Sequence, residues 1–135
     1  MDKNILNRVN VLIKKTYYTY ERFQVDATFA LLYHEEPLSV EELSLFVRLS
    51  DHLIHLDEHH YFIVFAFTSQ ENAYKASQNL IHNLDGHSNE HTCMALDTFD
   101  TSKSPTAVLS RLKQILVETR KNSFVRIETE DILYR

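Results

Sequence analysis

A single glycine, Gly86, in a chain of 135 residues is the tightest constraint on what this sequence can build. An average protein carries roughly 7% glycine. Phosphate-cradling loops and dinucleotide-binding turns need a close backbone approach that only glycine permits. The chain therefore has no P-loop and no dinucleotide fingerprint. Two prolines, Pro37 and Pro105, rule out a proline-rich linker as well. With 44% hydrophobic and 24% charged residues the composition is that of an ordinary globular protein.

Fourteen basic residues against 19 acidic ones give a net charge of −5. The basic residues are scattered, so a broad nucleic-acid-binding face is not expected. Cys93 has no second cysteine to pair with, which fits a reducing compartment. The longest apolar run, Tyr61 to Phe67, is far shorter than the roughly 20 residues that span a bilayer. The opening Met1-Asp2-Lys3-Asn4 begins no apolar signal region. A cytoplasmic protein is expected, with no membrane partner.

Helical spacing of Leu6, Val9, Leu12, Ile13, Tyr17 and Tyr20 predicts a first helix. Asp26 to Glu35 is nearly all apolar over a strand's length, the pattern of a strand covered on both faces. After Pro37, Ser39-Val-Glu-Glu42 has capping-box form and opens a helix carrying Val40, Leu43, Phe46, Val47 and Ser50. Asp51 to Leu56 and Tyr61 to Phe67 read as a β-hairpin around a glycine-free turn, of longer or type I form. Thr68-Ser-Gln-Glu71 predicts a second capping box and a helix buried through Ala73, Ala76, Ser77, Leu80, Ile81 and Leu84. Asp85 to Glu90 reads as a loop and Thr92 to Phe99 as a strand. Ser104 reads as a cap before Pro105, followed by a helix striped with Val108, Leu109, Leu112, Ile115 and Leu116. Ser123 to Glu128 alternates as a last strand. The expected fold class is an α/β (α+β) sandwich. It has a mixed sheet of about five strands, a central β-hairpin and helices on both faces.

That order resembles the GGDEF domain of bacterial diguanylate cyclases, with its cyclase palm-like sheet, over nearly the whole chain. Leu6-Asn7-Arg8 is similar to the end of the family's "LTGLxNR" signature. Phe29 to Glu35 falls where the family's first strand ends in a metal-binding aspartate. Arg48-Leu-Ser-Asp51 through Asp57-Glu58-His59-His60-Tyr61 and on to Phe65 resembles the "RxxDxxxRxGGDEFxxxx" hairpin. Leu112 to Asn122 resembles the closing "ALYxAKxxGRN" helix. The resemblance implies one degenerate GGDEF-like domain over residues 1–135, with 1–23 as the helix leading into it. In that family the first helix is where sensory modules connect. With only a few residues ahead of it here, a free-standing domain or a piece of a larger protein is expected.

The departures fall on the chemistry. Asp57 and Glu58 stand where two glycines let the family's backbone approach guanine, and His59 replaces a metal-binding acid. Only Glu36, Pro37 and Leu38 separate Glu35 from Ser39, leaving no space for the family's guanine-binding segment. The late phosphate-binding lysine aligns with Val117 and the nearby arginine with Lys121. Phosphoryl transfer needs metal charge and fixed phosphate contacts, so no cyclase activity and no catalytic residue are expected. The implied role is a catalytically inactive regulatory or protein-interaction module in bacterial signalling, binding a protein partner or its own copy.

The alternative is a cyclic di-GMP receptor. Arg48 and Asp51 match the family's inhibitory RxxD site, with residues 52 to 56 supplying its spacing from the turn. An arginine fork grips guanine or phosphate, and a carboxylate accepts from guanine N–H groups. Against this stands the plainer reading that Arg48 is a solvated helix-end residue and Asp51 starts the hairpin. His52, His55, His59 and His60 crowd the hairpin, and Glu35 would lie near His59. Those two are candidate ligands for a divalent metal in a third reading, a metal-dependent nucleotide enzyme. His52 and His55 point to opposite faces of a strand, and surface histidines are the simpler account. His82, His87 and His91 read as solvated, and Cys93 as a small buried hydrophobe rather than a nucleophile. Tyr17, Tyr18, Tyr20 and Phe23 offer a partner surface, or else Tyr17 and Tyr20 cover the core while Tyr18 is exposed.

Overall fold

The computed structural model describes residues 2–87, 91–100, 102–122 and 125–134. Helix α1, Lys3–Phe23, starts where the Asp2 carboxylate accepts from the Asn4 and Ile5 amides at 2.7 and 3.3 Å. It stops at Gln24, whose left-handed conformation (φ 53°) turns the chain out of the helix. Strand β1, Ala27–His34, follows. It is central in the sheet order β2-β3-β1-β4-β5 and buried almost throughout, which explains its unbroken apolar sequence. The remaining strands are β2 (His52–His55), β3 (His60–Ala66), β4 (Thr92–Thr98) and β5 (Ile127–Thr129). Among the described strands only β4 and β5 pair in parallel, so the sheet is mixed as expected.

Side chains of β1, β3 and β4 alternate between two apolar layers. Helices α1 and α4 (Val108–Arg120) lay Ile13, Tyr17, Leu112 and Ile115 over Phe29, Leu31, Phe62 and Ala95. On the other face α2 (Val40–Ser44) and α3 (Gln70–His87) set Leu43, Leu80 and Leu84 against Leu32, Ile63, Phe65 and Met94. Each fully buried side chain of this size is worth about 1.5–3 kcal/mol. Packing of this kind, more than intrinsic propensity, holds the helices.

Several local expectations are corrected. The Ser39–Glu42 capping box forms, but α2 ends at Ser44 instead of continuing past Val47. The Arg48 amide donates to the Asp51 carboxylate (3.0 Å) and the Asp51 amide to the Arg48 carbonyl (3.0 Å), a side-chain-closed turn that competes with the helix. At α3 the cap is Ser69, not Thr68. Ser69 accepts from Ala73 on its carbonyl (2.8 Å) and from Asn72 on its hydroxyl (3.4 Å), while the Thr68 hydroxyl bonds elsewhere. Helix α3 runs through Asp85 and Gly86 to His87, where a loop was expected, because Arg126 pairs with Asp85 and anchors the last turn. Pro105 opens a 3₁₀ turn, Pro105–Ala107, that leads into α4, and the Ser104 hydroxyl bonds Thr106 Oγ1 (2.9 Å) without capping. Strand β5 begins at Ile127; Ser123 and Phe124 lie outside the described residues, as do 88–90 of the expected loop. Leu6 is exposed although it fell on the apolar stripe of α1. No described helix is long and apolar enough to cross a membrane.

Candidate functional site

The register opposes Tyr33 to His60 and Ala27 to Ala66, so β1 and β3 share two distinct ends. At one end lies the glycine-free turn between β2 and β3. The Leu56 amide donates to the His60 carbonyl at 2.9 Å. The Asp57 Oδ1 accepts from the His59 and His60 amides, both at 2.9 Å, and lies 2.8 Å from His60 Nδ1. Among the described residues only Gln24 and Phe67 combine a side chain with positive φ, so this turn needs no left-handed residue. Burial would raise the Asp57 carboxyl, but the bonds from the His59 amide and the His60 ring outweigh it and hold its pKa low. The Asp57 carboxylate is spent on closing its own turn.

The turn abuts the end of β1. The His34 amide donates to the His59 carbonyl (2.9 Å), and the His34 carbonyl lies 3.2 Å from His59 Nδ1, which must then carry the proton. The other ring nitrogen of His59 is 4.0 Å from Glu58. Glu35 follows at the strand end, exposed, with its amide bonded to the His91 carbonyl (3.0 Å). Glu35 and His59 thus belong to adjoining segments. Among the described residues no three or more His, Cys, Asp or Glu gather as a metal-holding group. His34 is buried, its Nδ1 is 2.6 Å from Thr92 Oγ1, and desolvation lowers its pKa. Tyr61, in the last position of the signature turn, is fully buried. Its hydroxyl donates to the Leu38 carbonyl (2.5 Å) and accepts from the Leu38 amide (2.8 Å). His55 stacks flat on Tyr61 at 4.6 Å, while His52 is exposed.

Arg120, which motif reading passed over, joins this end. Its guanidinium sits 4.0 Å above the Tyr33 ring, and that ring also meets His60 edge-on at 5.3 Å. Two clefts, of about 330 and 340 Å³, flank it. One reaches Glu35, Cys93 and Arg126; the other runs between α4 and the hairpin and reaches Lys113, Val117 and His60. Burial pushes the Cys93 thiol up to about 11, so it is not a nucleophile at neutral pH. The signal for Arg120 was in the sequence: Lys113, Val117 and Arg120 recur at helical spacing along one face.

Arg48 and Asp51 lie at the opposite end of β3. Arg48 Nη2 donates to Asp51 Oδ1 (2.8 Å), the Ala66 carbonyl (2.8 Å) and Thr68 Oγ1 (2.5 Å), and Nε donates to Asp51 Oδ2 (3.2 Å). The Ala66 amide adds a bond to Asp51 Oδ1 (3.2 Å). The Asp51 side chain is 2% exposed and that of Arg48 53%. The two residues of the motif are therefore brought together, facing each other. On α1, Tyr17 and Tyr20 are buried while Tyr18 and Phe23 are exposed.

No family model and no curated protein matches the sequence. Solved structures do. The chain is similar to an active GGEEF domain of a diguanylate cyclase from Vibrio cholerae (TM-score 0.75, 9% identity, 92% of this chain and 95% of that one). It is similar to the GGDEF domain of DgcB from Caulobacter crescentus in complex with c-di-GMP (TM-score 0.73, 7% identity, covering 89% and 86%). A third likeness is the diguanylate cyclase SiaD from Pseudomonas aeruginosa in complex with its activator SiaC (TM-score 0.70, 7% identity, covering 85% of this chain and 54% of that one). The fold is thus the GGDEF palm-like α/β fold.

Proposed function

We propose that this chain is a catalytically inactive GGDEF-like module that acts by binding a protein partner or its own copy in cytoplasmic, cyclic di-GMP-linked bacterial signalling. The observation that carries this reading is the turn itself. The carboxylate beside the would-be reaction centre, Asp57, is saturated by bonds from His59 and His60. The connection from β1 to α2 is short, and Val117 offers no charge to a phosphate. A likeness to a cyclase solved with a protein activator agrees with a partner-binding role for the fold.

The test is incubation of the purified chain with GTP and Mg²⁺ or Mn²⁺, followed by chromatography for cyclic di-GMP. No product is expected. Turnover that falls on Glu35→Ala would overturn the reading in favour of a metal-dependent nucleotide enzyme using Glu35 and His59. The receptor alternative draws on the half-exposed guanidinium of Arg48 and on the ligand held by the DgcB domain. Calorimetric titration with cyclic di-GMP decides it: micromolar binding lost in Arg48→Ala makes the chain a nucleotide receptor, and absence of heat removes that alternative.

A further inference from the structure

Along α4 and the segments on either side of it, four of the six cations are paired with carboxylates. Lys103 and Arg111 flank the buried Asp97 at 3.0 and 3.1 Å, Lys121 bonds Glu118 at 2.8 Å, and Arg126 holds Asp85. Lys113 and Arg120 are the departures: among the described residues neither has a carboxylate within ion-pair distance. Both border the cleft of about 340 Å³ between α4 and the hairpin. Its floor is made of the buried Leu31, Leu56 and Leu116, and Val117, 56% exposed, stands between the two cations. The other polar groups facing the cleft are Asp57 and His60, which are bonded to each other.

From this arrangement we infer that the cleft docks an acidic, extended segment of a partner protein, with an aliphatic side chain seated between two carboxylates. The inference deepens the interaction role proposed above and rests on it. Cation, apolar wall and cation follow one another along the helix, with Lys113 and Arg120 about 10 Å apart along its axis. That distance is the rise of about three residues of extended chain. Side chains alternate faces along an extended chain, so an acid two residues to either side of an aliphatic residue puts all three side chains on the cleft face and spans about 13 Å, within reach of the long Lys113 and Arg120 side chains. The Arg120 fork is already held flat by Tyr33, so little freedom is lost when it takes a carboxylate. A polyphosphate would instead have to lie across the methyl groups of Val117, where its charge is desolvated without a donor. In a chain of net charge −5, this cleft is a local reversal that selects an acidic partner.

The probe is the acetylated, amidated peptide Gly-Glu-Glu-Leu-Glu-Glu-Gly, titrated into the ¹⁵N-labelled full chain. Amide shifts are expected at residues 56–60 and 113–120. Lys113→Gln and Arg120→Gln should each weaken binding by roughly tenfold, since each removes a charge-assisted bond. Replacing Leu with Gly in the peptide should also weaken it. No shifts in those segments at millimolar peptide, or binding unchanged in the double variant, overturns the proposal. Shifts there with inorganic pyrophosphate but not with peptide also overturn it and make the cleft a phosphate site. A dimer in sedimentation that the double variant dissolves overturns it too, with a second copy as the occupant. Both variants are surface changes, and circular dichroism checks that they fold. GTP turnover is measured on the same sample. Product with peptide binding intact overturns catalytic inactivity alone, and absent shifts without turnover overturn the docking alone.

Discussion

Tyr61 shows how a position that resembles a signature can be held by packing and not by catalysis. Its hydroxyl satisfies both the amide and the carbonyl of Leu38 inside the core, at the segment between β1 and α2. Tyr61→Phe keeps the ring and strands two buried backbone groups. A loss of about 1–3 kcal/mol in urea unfolding is expected, with an unchanged denaturant slope. Asp51 is a second such residue: its carboxylate gathers Arg48 and the Ala66 amide while almost fully buried. Asp51→Ala should cost about 1–3 kcal/mol by the same measurement, less than a fully buried pair because Arg48 reaches water. Cys93 is predicted to be slow toward a disulfide reagent at pH 8, since its thiol sits near 11. Its labelling rate should rise steeply as the pH is raised toward 11; fast labelling of the native chain at pH 8 would contradict this.

Elements are joined by side chains that reach far along the chain. Arg126, just before β5, donates to both oxygens of Asp85 in the last turn of α3 and to the Thr92 carbonyl (2.9 Å) at the start of β4. The Arg126 bond holds the Asp85 carboxyl below its usual value of 3.8. A depressed folded pKa means that this stability is present above the carboxylate range and is lost as pH falls through the folded value. Thermal melts of the parent and Asp85→Asn should therefore differ at pH 7 and converge in acid well below 3.8. A gap that persists in acid would show that the pair's charge is not what joins α3 to β5. The shortening of α2 belongs to the same scale. Val40, Leu43 and Val47 keep helical spacing, but Asp51 captures the Arg48 amide, and hydrogen-bond competition ends the helix.

At the scale of the whole molecule, the sheet order puts β3, β1 and β4 inside and β2 and β5 at the edges. Amide exchange should be slowest in β1, with β2 and β5 opening first; an edge strand outlasting β1 would contradict this order. The residues that build the candidate site come from three places: β1 toward its end, the β2–β3 turn and α4 from Lys113 to Arg120. Only the fold makes them neighbours. Element order, the central strand buried on both faces, the hairpin and the lack of any glycine-built phosphate site were legible in the chain alone. Each is a local property, because burial imposes period 2 or 3.6 on the residues that experience it. Parallel β5, the stack of Arg120 on Tyr33 and the closure of Arg48 on Asp51 and Thr68 were not. A polar side chain finds its partner through space, as Arg48 does across 20 residues and Arg126 across 41. Sequence periodicity thus determined which residues face inward, whereas tertiary register decided which polar groups are spent on structure and which, like Lys113 and Arg120, are left facing a cleft.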